Sequence, residues 1–151
     1  MDGEMRDDPL QSRAFASAVL LEKIVRGAYE NRRSSEVQPL QWSILRYLSI
    51  AEKERRTVVW IASFLGVTHA PVVRAMQTLQ RRGLVDIEVN AADGRSKIAT
   101  LSTEGVVMLG EDPLLGVAAR IELLDEQERL TLILAIRKLI PLTEPDEERS
   151  K

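Results

Sequence analysis

The chain contains no cysteine, which excludes disulfides, cysteine-based zinc spacing and thiol chemistry of any kind. It has one histidine, His69. With no second histidine or cysteine nearby, a metal role for it is not expected. No apolar run approaches the roughly 20 residues that a membrane span requires. The amino terminus, MDGEMRDDPLQSR, is acidic and polar, unlike a signal peptide. These absences set the expectation of a soluble, cytoplasmic protein without cofactor, metal or membrane partner. Catalysis finds no support either. No glycine-rich phosphate loop follows a strand. The acidic pairs Asp7-Asp8, Glu111-Asp112 and Glu147-Glu148 fall in expected loops or tails, where carboxylates are solvated rather than tuned. The chain does not read as an enzyme.

What is present is an ordinary globular balance. The 151 residues are 44% hydrophobic and 29% charged, one domain's worth of length. The net charge of −2 does not by itself suggest a nucleic-acid partner, but its distribution is uneven. Between Arg74 and Lys97 stand five cations and three anions, whereas between Glu104 and Glu128 stand seven anions and one cation. A polyanion is drawn to the first segment and repelled by the second.

The segment from Thr57 to Leu101 organises the rest. TVVWIASFLG predicts a helix with Val58, Ile61, Ala62 and Leu65 on one face. Gly66-Val67-Thr68 predicts a turn, with Gly66 ending the first helix and Thr68 capping the next. HAPVVRAMQTLQRRG predicts a second helix with Val72, Met76 and Leu79 inward and Arg74, Gln77 and Arg81 outward. Pro71 is tolerated there because the first turn has no intrahelical partner for its missing N–H. Val85, Ile87 and Val89 then alternate with polar residues as a strand, and Lys97 to Leu101 predicts the return strand. Ala91-Ala92-Asp93-Gly94-Arg95 predicts the loop between them, with Asp-Gly as the turn-forming pair. Two helices joined by a short turn and followed by a hairpin with a basic tip describe a winged helix-turn-helix.

These residues also resemble the MarR family of bacterial transcriptional regulators. The similarity rests on Leu65-Gly66-Val67-Thr68, on Leu79-Gln80-Arg81-Arg82-Gly83-Leu84-Val85, on Asp93-Gly94-Arg95-Ser96 and on Leu101-Ser102-Thr103-Glu104-Gly105. Gln41 to Leu48 sits where such proteins carry their second helix, and the resemblance extends from about Leu10 to Leu139. It implies a mostly α fold with a small β-hairpin wing, held as a two-fold homodimer by its N- and C-terminal helices.

The flanking segments divide accordingly. Residues 1–9 are expected to be a flexible terminus, and 10–142 a single domain. Within it, 10–38 and 102–142 would be dimerisation helices and 39–101 a DNA-binding lobe, with 143–151 a flexible tail. A helix is predicted from Leu10 to about Arg33, with Ala14, Ala18, Leu21, Val25 and Ala28 recurring at helical spacing. Another is predicted to start at Pro39 and to bury Leu40, Ile44, Leu45 and Leu48. Ser102 caps a helix that Gly110-Glu111-Asp112-Pro113 should break, a departure from the family's single long helix. A segment from Leu114 to Leu123 follows. The last helix starts at a capping box, Asp125 with Glu128, and is predicted to bury Leu130, Ile133, Leu134 and Ile140.

The candidate DNA-binding residues fall on the second helix and the wing. Arg95 at the wing tip suits the narrow minor groove, where the potential is most negative, and Asp93 is expected to hold its guanidinium by an ion pair. The recognition helix would present His69, Pro71, Val73, Arg74 and Gln77 to the major groove, since Arg and Gln match guanine and adenine edges and Val a thymine methyl. Thr68, Arg81, Arg82 and Lys97 are candidate phosphate contacts. Capping alone would equally account for Thr68, and ordinary helix surface for Val73 and Gln77. The resemblance further implies a small aromatic or carboxylate effector between the dimer helices and the DNA lobe. Trp42, with Arg26 and Arg46 for a carboxylate, is the candidate set, although Trp42, Trp60, Tyr47, Phe15 and Phe64 all suit a plain core. The reading is a sequence-specific regulator, a repressor by family habit. The competing reading is a protein-interaction module that keeps the fold without binding DNA.

Overall fold

The computed structural model describes residues 10, 12–30 and 36–140. Among them are seven α-helices and one two-stranded antiparallel sheet. The first helix, α1 (Arg13–Ala28), starts later than the periodicity suggests. Ser12 is its N-cap, its Oγ accepting the Phe15 N–H at 3.0 Å. The helix ends at Ala28, with Tyr29 as its C-cap and Glu30 in a turn, short of the expected end near Arg33; residues 31–35 lie outside the described residues.

Helix α2 (Pro39–Ile50) begins with proline in its first turn, where no N–H is needed. The Gln38 N–H donates to the Gln41 side-chain oxygen at 3.0 Å, closing that end. Its Ile44, Leu45 and Leu48 are essentially inaccessible. They meet Ile61 and Ala62 of α3 (Val58–Leu65), Val72, Met76 and Leu79 of α4 (His69–Arg81), and Val85 and Ala99 of the hairpin. Each such large side chain removed from water contributes about 1.5–3 kcal/mol. These residues are buried as the periodicity predicts, whereas Leu40, Val58 and Leu65, expected on the same faces, are half-buried against the edge of the core. Trp42 and Tyr47 join this core at 5% exposure each.

Gly66 ends α3 in the left-handed conformation, at φ 64°, a backbone shape that a side chain would strain. The axes of α3 and α4 turn by 115° across it, within the helix-turn-helix range. Strands β1 (Val85–Asn90) and β2 (Asp93–Leu101) follow. The Ala99 N–H donates to the Arg56 carbonyl at 2.9 Å, tying the chain ahead of α3 to the hairpin.

After the wing, Ser102 caps α5 (Thr103–Met108), accepting the Gly105 N–H at 3.0 Å. The break at Pro113 occurs as expected: a 3-10 turn over Leu109–Glu111 separates α5 from α6 (Leu114–Glu122). Helix α7 (Glu126–Leu139) carries the reciprocal capping box, with the Glu128 N–H on Asp125 at 2.8 Å and the Asp125 N–H on Glu128 at 3.0 Å. Its expected burial is not met within one chain. Leu130, Ile133, Leu134 and Ile140 remain exposed, as do Phe15, Val19, Leu21 and Ile24 of α1. Among the described residues, no element covers them. No single described helix is long and apolar enough to cross a membrane.

Candidate nucleic-acid interface

The helix-turn-helix and the wing enclose a cleft of about 710 Å³. One wall is α4, which supplies His69, Val73 and Gln77, and the opposite wall is the wing, which supplies Arg95 and Lys97. Five of the residues chosen from sequence thus share one concave surface, and all five are exposed. The α4 residues meet there because they recur three to four positions apart on one helical face. Gln80 lies on that same face and lines the cleft too. Its spacing of three from Gln77 was a signal the outward-facing set overlooked. Thr57, at the start of α3, also lines it and is buried.

The other candidates lie outside that cleft. Thr68 occupies the N-cap position of α4, but its side chain makes no capping hydrogen bond, contrary to expectation. Pro71, the third residue of α4, is half-buried rather than presented. Arg74 is exposed on a neighbouring face. Arg81 sits at the C-terminal end of α4, donating to the Thr78 hydroxyl at 3.1 Å, with Arg82 next in line.

The wing tip differs from the expected Asp-Gly turn. The two-residue turn is Ala91-Ala92, and Asp93 and Gly94 already belong to β2. Gly94 does not adopt positive φ, so the mirror-image turn that an Asp-Gly pair favours is not formed. Asn90 pairs with Asp93 and Val89 with Lys97, which leaves Gly94, Arg95 and Ser96 as an insertion in one strand. Short side chains hold this shape. The Asn90 side-chain oxygen accepts the Ala92 N–H at 3.0 Å, and its amide donates to the Ser96 hydroxyl at 3.0 Å. The Asp93 carboxylate accepts the Arg95 backbone N–H at 3.1 Å. Asp93 therefore positions the backbone of Arg95 and makes no ion pair with its guanidinium. The exposed Arg95 side chain thus lines the cleft from a backbone that Asp93 holds.

The effector candidates Arg26, Trp42 and Arg46 do not line the cleft between α4 and the wing. Trp42 is core. Arg26 is paired with Glu22 one turn earlier on α1 and stays largely exposed. Arg46 holds the Asp112 carboxylate with both ends of its guanidinium, Nε to Oδ2 at 2.6 Å and Nη2 to Oδ1 at 2.7 Å, and donates to the Tyr29 hydroxyl at 2.9 Å. Asp112 is the clearest departure from the sequence reading, which treated Glu111-Asp112 as a solvated pair. It is 9% exposed. Burial works against its charge, but the hydrogen bonds from Arg46 and from the Leu114 N–H outweigh that, and its carboxyl is held below the usual range. Burial likewise opposes the charge of Arg46, and the bonds to Asp112 and Tyr29 more than restore it.

A second cleft, of about 400 Å³, lies between the end of α2 and α3, lined by the rings of Tyr47, Trp60 and Phe64. The Tyr47 and Phe64 ring centroids are 4.8 Å apart, and the Arg55 guanidinium lies 5.2 Å from the Trp60 ring centroid. Trp60 and Phe64, expected in the core, stand exposed instead. Among the described residues no cluster of three or more His, Cys, Asp or Glu is placed to hold a metal.

Residues 35–96 match the model of the MarR family. No curated protein is significantly similar to the chain in sequence. Solved structures share its fold. The repressor CouR, bound to a 23-mer DNA duplex, is 21% identical with a TM-score of 0.70, over 85% of this chain and 92% of that one. The regulator PcaV from Streptomyces coelicolor, in complex with its natural ligand, is 20% identical with a TM-score of 0.68, over 89% and 96%. BpsR of Bordetella bronchiseptica, described by the regulation of its DNA binding by 6-hydroxynicotinic acid, is 18% identical with a TM-score of 0.65, over 86% and 94%. The matched segment, similar to the MarR family, spans helices α2 to α4 and the first half of the wing, and the chain as a whole shares the winged-helix fold of these structures.

Proposed function

We propose that the protein is a sequence-specific DNA-binding transcriptional regulator that works as a homodimer. Residues 39–101 are its DNA-reading lobe, and 10–38 with 102–142 its dimerisation region. The observation that carries the reading is the shared cleft, where His69, Val73 and Gln77 of α4 face Arg95 and Lys97 of the wing. Inserted in a major groove, α4 offers a donor–acceptor amide and a methyl-bearing side chain to base edges. The braced tip meanwhile carries Arg95 to the flanking minor groove. The apolar faces of α1 and α7 support the dimer, because an exposed stripe of this kind is covered when two copies pair. Repression, and release by a small aromatic or carboxylate effector, follow the pattern of the related regulators. An effector lowers DNA affinity by its preference for a dimer whose lobes are wrongly spaced.

Fluorescence anisotropy tests this on a duplex from the protein's own upstream region beside a scrambled duplex, at two salt concentrations. Binding should prefer the native duplex and weaken with salt. Arg95→Ala should bind more weakly and show a salt slope smaller by about one. Equal, weak binding of both duplexes by the wild type and the variant alike would favour the interaction-module reading.

A further inference from the structure

The DNA lobe and the terminal helices meet where Arg46 stands. This residue lies on α2, whose opposite face, Ile44, Leu45 and Leu48, forms the centre of the lobe. Its guanidinium reaches Asp112, 66 positions away at the elbow between α5 and α6, and Tyr29 at the end of α1. Asp112 Oδ1 also accepts the Leu114 N–H at 2.8 Å, holding the first turn of α6. One side chain therefore ties together the lobe, the elbow and the first helix.

The elbow needs such a tie. Pro113 donates no N–H and blocks a continuous helix from α5 into α6, which leaves only two turn bonds along the backbone there, Asp112 N–H to the Leu109 carbonyl at 3.3 Å and Leu115 N–H to the Asp112 carbonyl at 2.9 Å. A planar, two-pronged contact fixes orientation as well as distance, which a single point charge does not. Its net contribution to stability is small, because desolvating two charges offsets most of their attraction. What it supplies is one geometry.

We propose that Arg46 and Asp112 are a positioning pair. By fixing the angle of the DNA lobe on the terminal-helix region, the pair sets the separation of the two recognition helices in a dimer, and hence which half-site spacing is accepted. The proposal rests on the DNA-binding reading for its consequence, and on the ion-pair geometry alone for its mechanism.

The test has two arms, using the full chain and the variants Asp112→Asn and Arg46→Lys. Asparagine keeps the oxygen that caps α6 and loses the charge; lysine keeps the charge and loses the fork. Because the native chain has no cysteine, spin labels can be placed cleanly at Lys23→Cys on α1 and Asp86→Cys on β1. Labelled chains are diluted with unlabelled ones so that distances within one chain are read. Pulsed electron spin resonance should give one narrow distance distribution for the parent and a broadened or displaced one for both variants, with helical content unchanged. In the second arm, the preference for the native operator over one lengthened by two base pairs should fall about tenfold in both variants. Parent-like distance distributions in both variants would overturn the positioning role, even with DNA binding intact. Failure of the parent to bind any duplex, with the distributions broadened as expected, would instead remove the DNA-binding reading and leave the pair's role standing.

Discussion

Gly105, in the first turn of α5, has no room for a side chain. A Cβ built there would lie 2.1 Å from the Leu84 carbonyl oxygen, 3.1 Å from its carbon and 3.3 Å from a methyl of Leu101. Carbon and carbonyl oxygen tolerate no approach closer than about 3.3 Å, so α5 and the start of β1 must separate by roughly 1 Å. Neither side gives readily. The Leu84 carbonyl accepts the Ser102 N–H at 3.2 Å, Ser102 Oγ donates to the Gly83 carbonyl at 2.6 Å, and Leu84 itself is buried. Gly105→Ala should therefore cost about 2–3 kcal/mol, the upper range for overpacking. At roughly 2–4 °C per kcal/mol for a chain of this length, Tm falls by about 4–12 °C. Gly27→Ala in α1 is the control. Open space surrounds that position, so the gain in helix propensity, up to about 1 kcal/mol, should raise Tm slightly. Thermal denaturation of both variants followed by circular dichroism, at one protein concentration, decides. A Gly105→Ala melting point within a degree of the parent, or shifts of the same sign in both variants, would refute the packing argument.

Two further outcomes concern the terminal helices. Leu134→Asp, on the exposed face of α7, should convert a dimer to monomers in sedimentation equilibrium. A two-fold interface repeats the substitution, and at about 1.5 kcal/mol or more for each lost contact the association weakens at least roughly 100-fold. An unchanged mass would place the interface elsewhere. The Asp112 carboxyl, held below its ordinary range, gives stability that is present above about pH 4 and lost as pH falls through its lower folded-state value. Chemical denaturation should find the parent more stable than Asp112→Asn at neutral pH and the two converging in acid. A constant difference across that range would rule out the pair as the source.

The elements that depend on neighbours in sequence were legible. The α3–turn–α4 unit follows from apolar spacing and Gly66, the start of α7 from Asp125 and Glu128, and the elbow from Pro113. What escaped depends on distant or competing partners. Nothing in periodicity joins Arg46 to Asp112, so an acidic pair in a loop looked solvated when one member is the anchor of a helix. At the wing tip an Asp-Gly pair suggested the turn, but Asn90 captures the preceding backbone first and moves the turn two residues back. In α7 the period located an apolar stripe correctly, yet an apolar stripe records only that something must cover it. Of the cleft, the α4 face was mostly legible: His69, Val73 and Gln77 were chosen, while Gln80 on the same face was passed over.

The wing tip carries one more consequence. Its shape is written almost entirely in its own short side chains, with Asn90 and Asp93 each holding the backbone two residues on and Ser96 closing the ring. Almost nothing there is owed to the packed lobe beneath. The shape of the tip is thus separable from the side chains it displays. Ala91, Ala92 and Arg95 can be replaced, and the register of β1 and β2 kept, so long as the bracing trio remains.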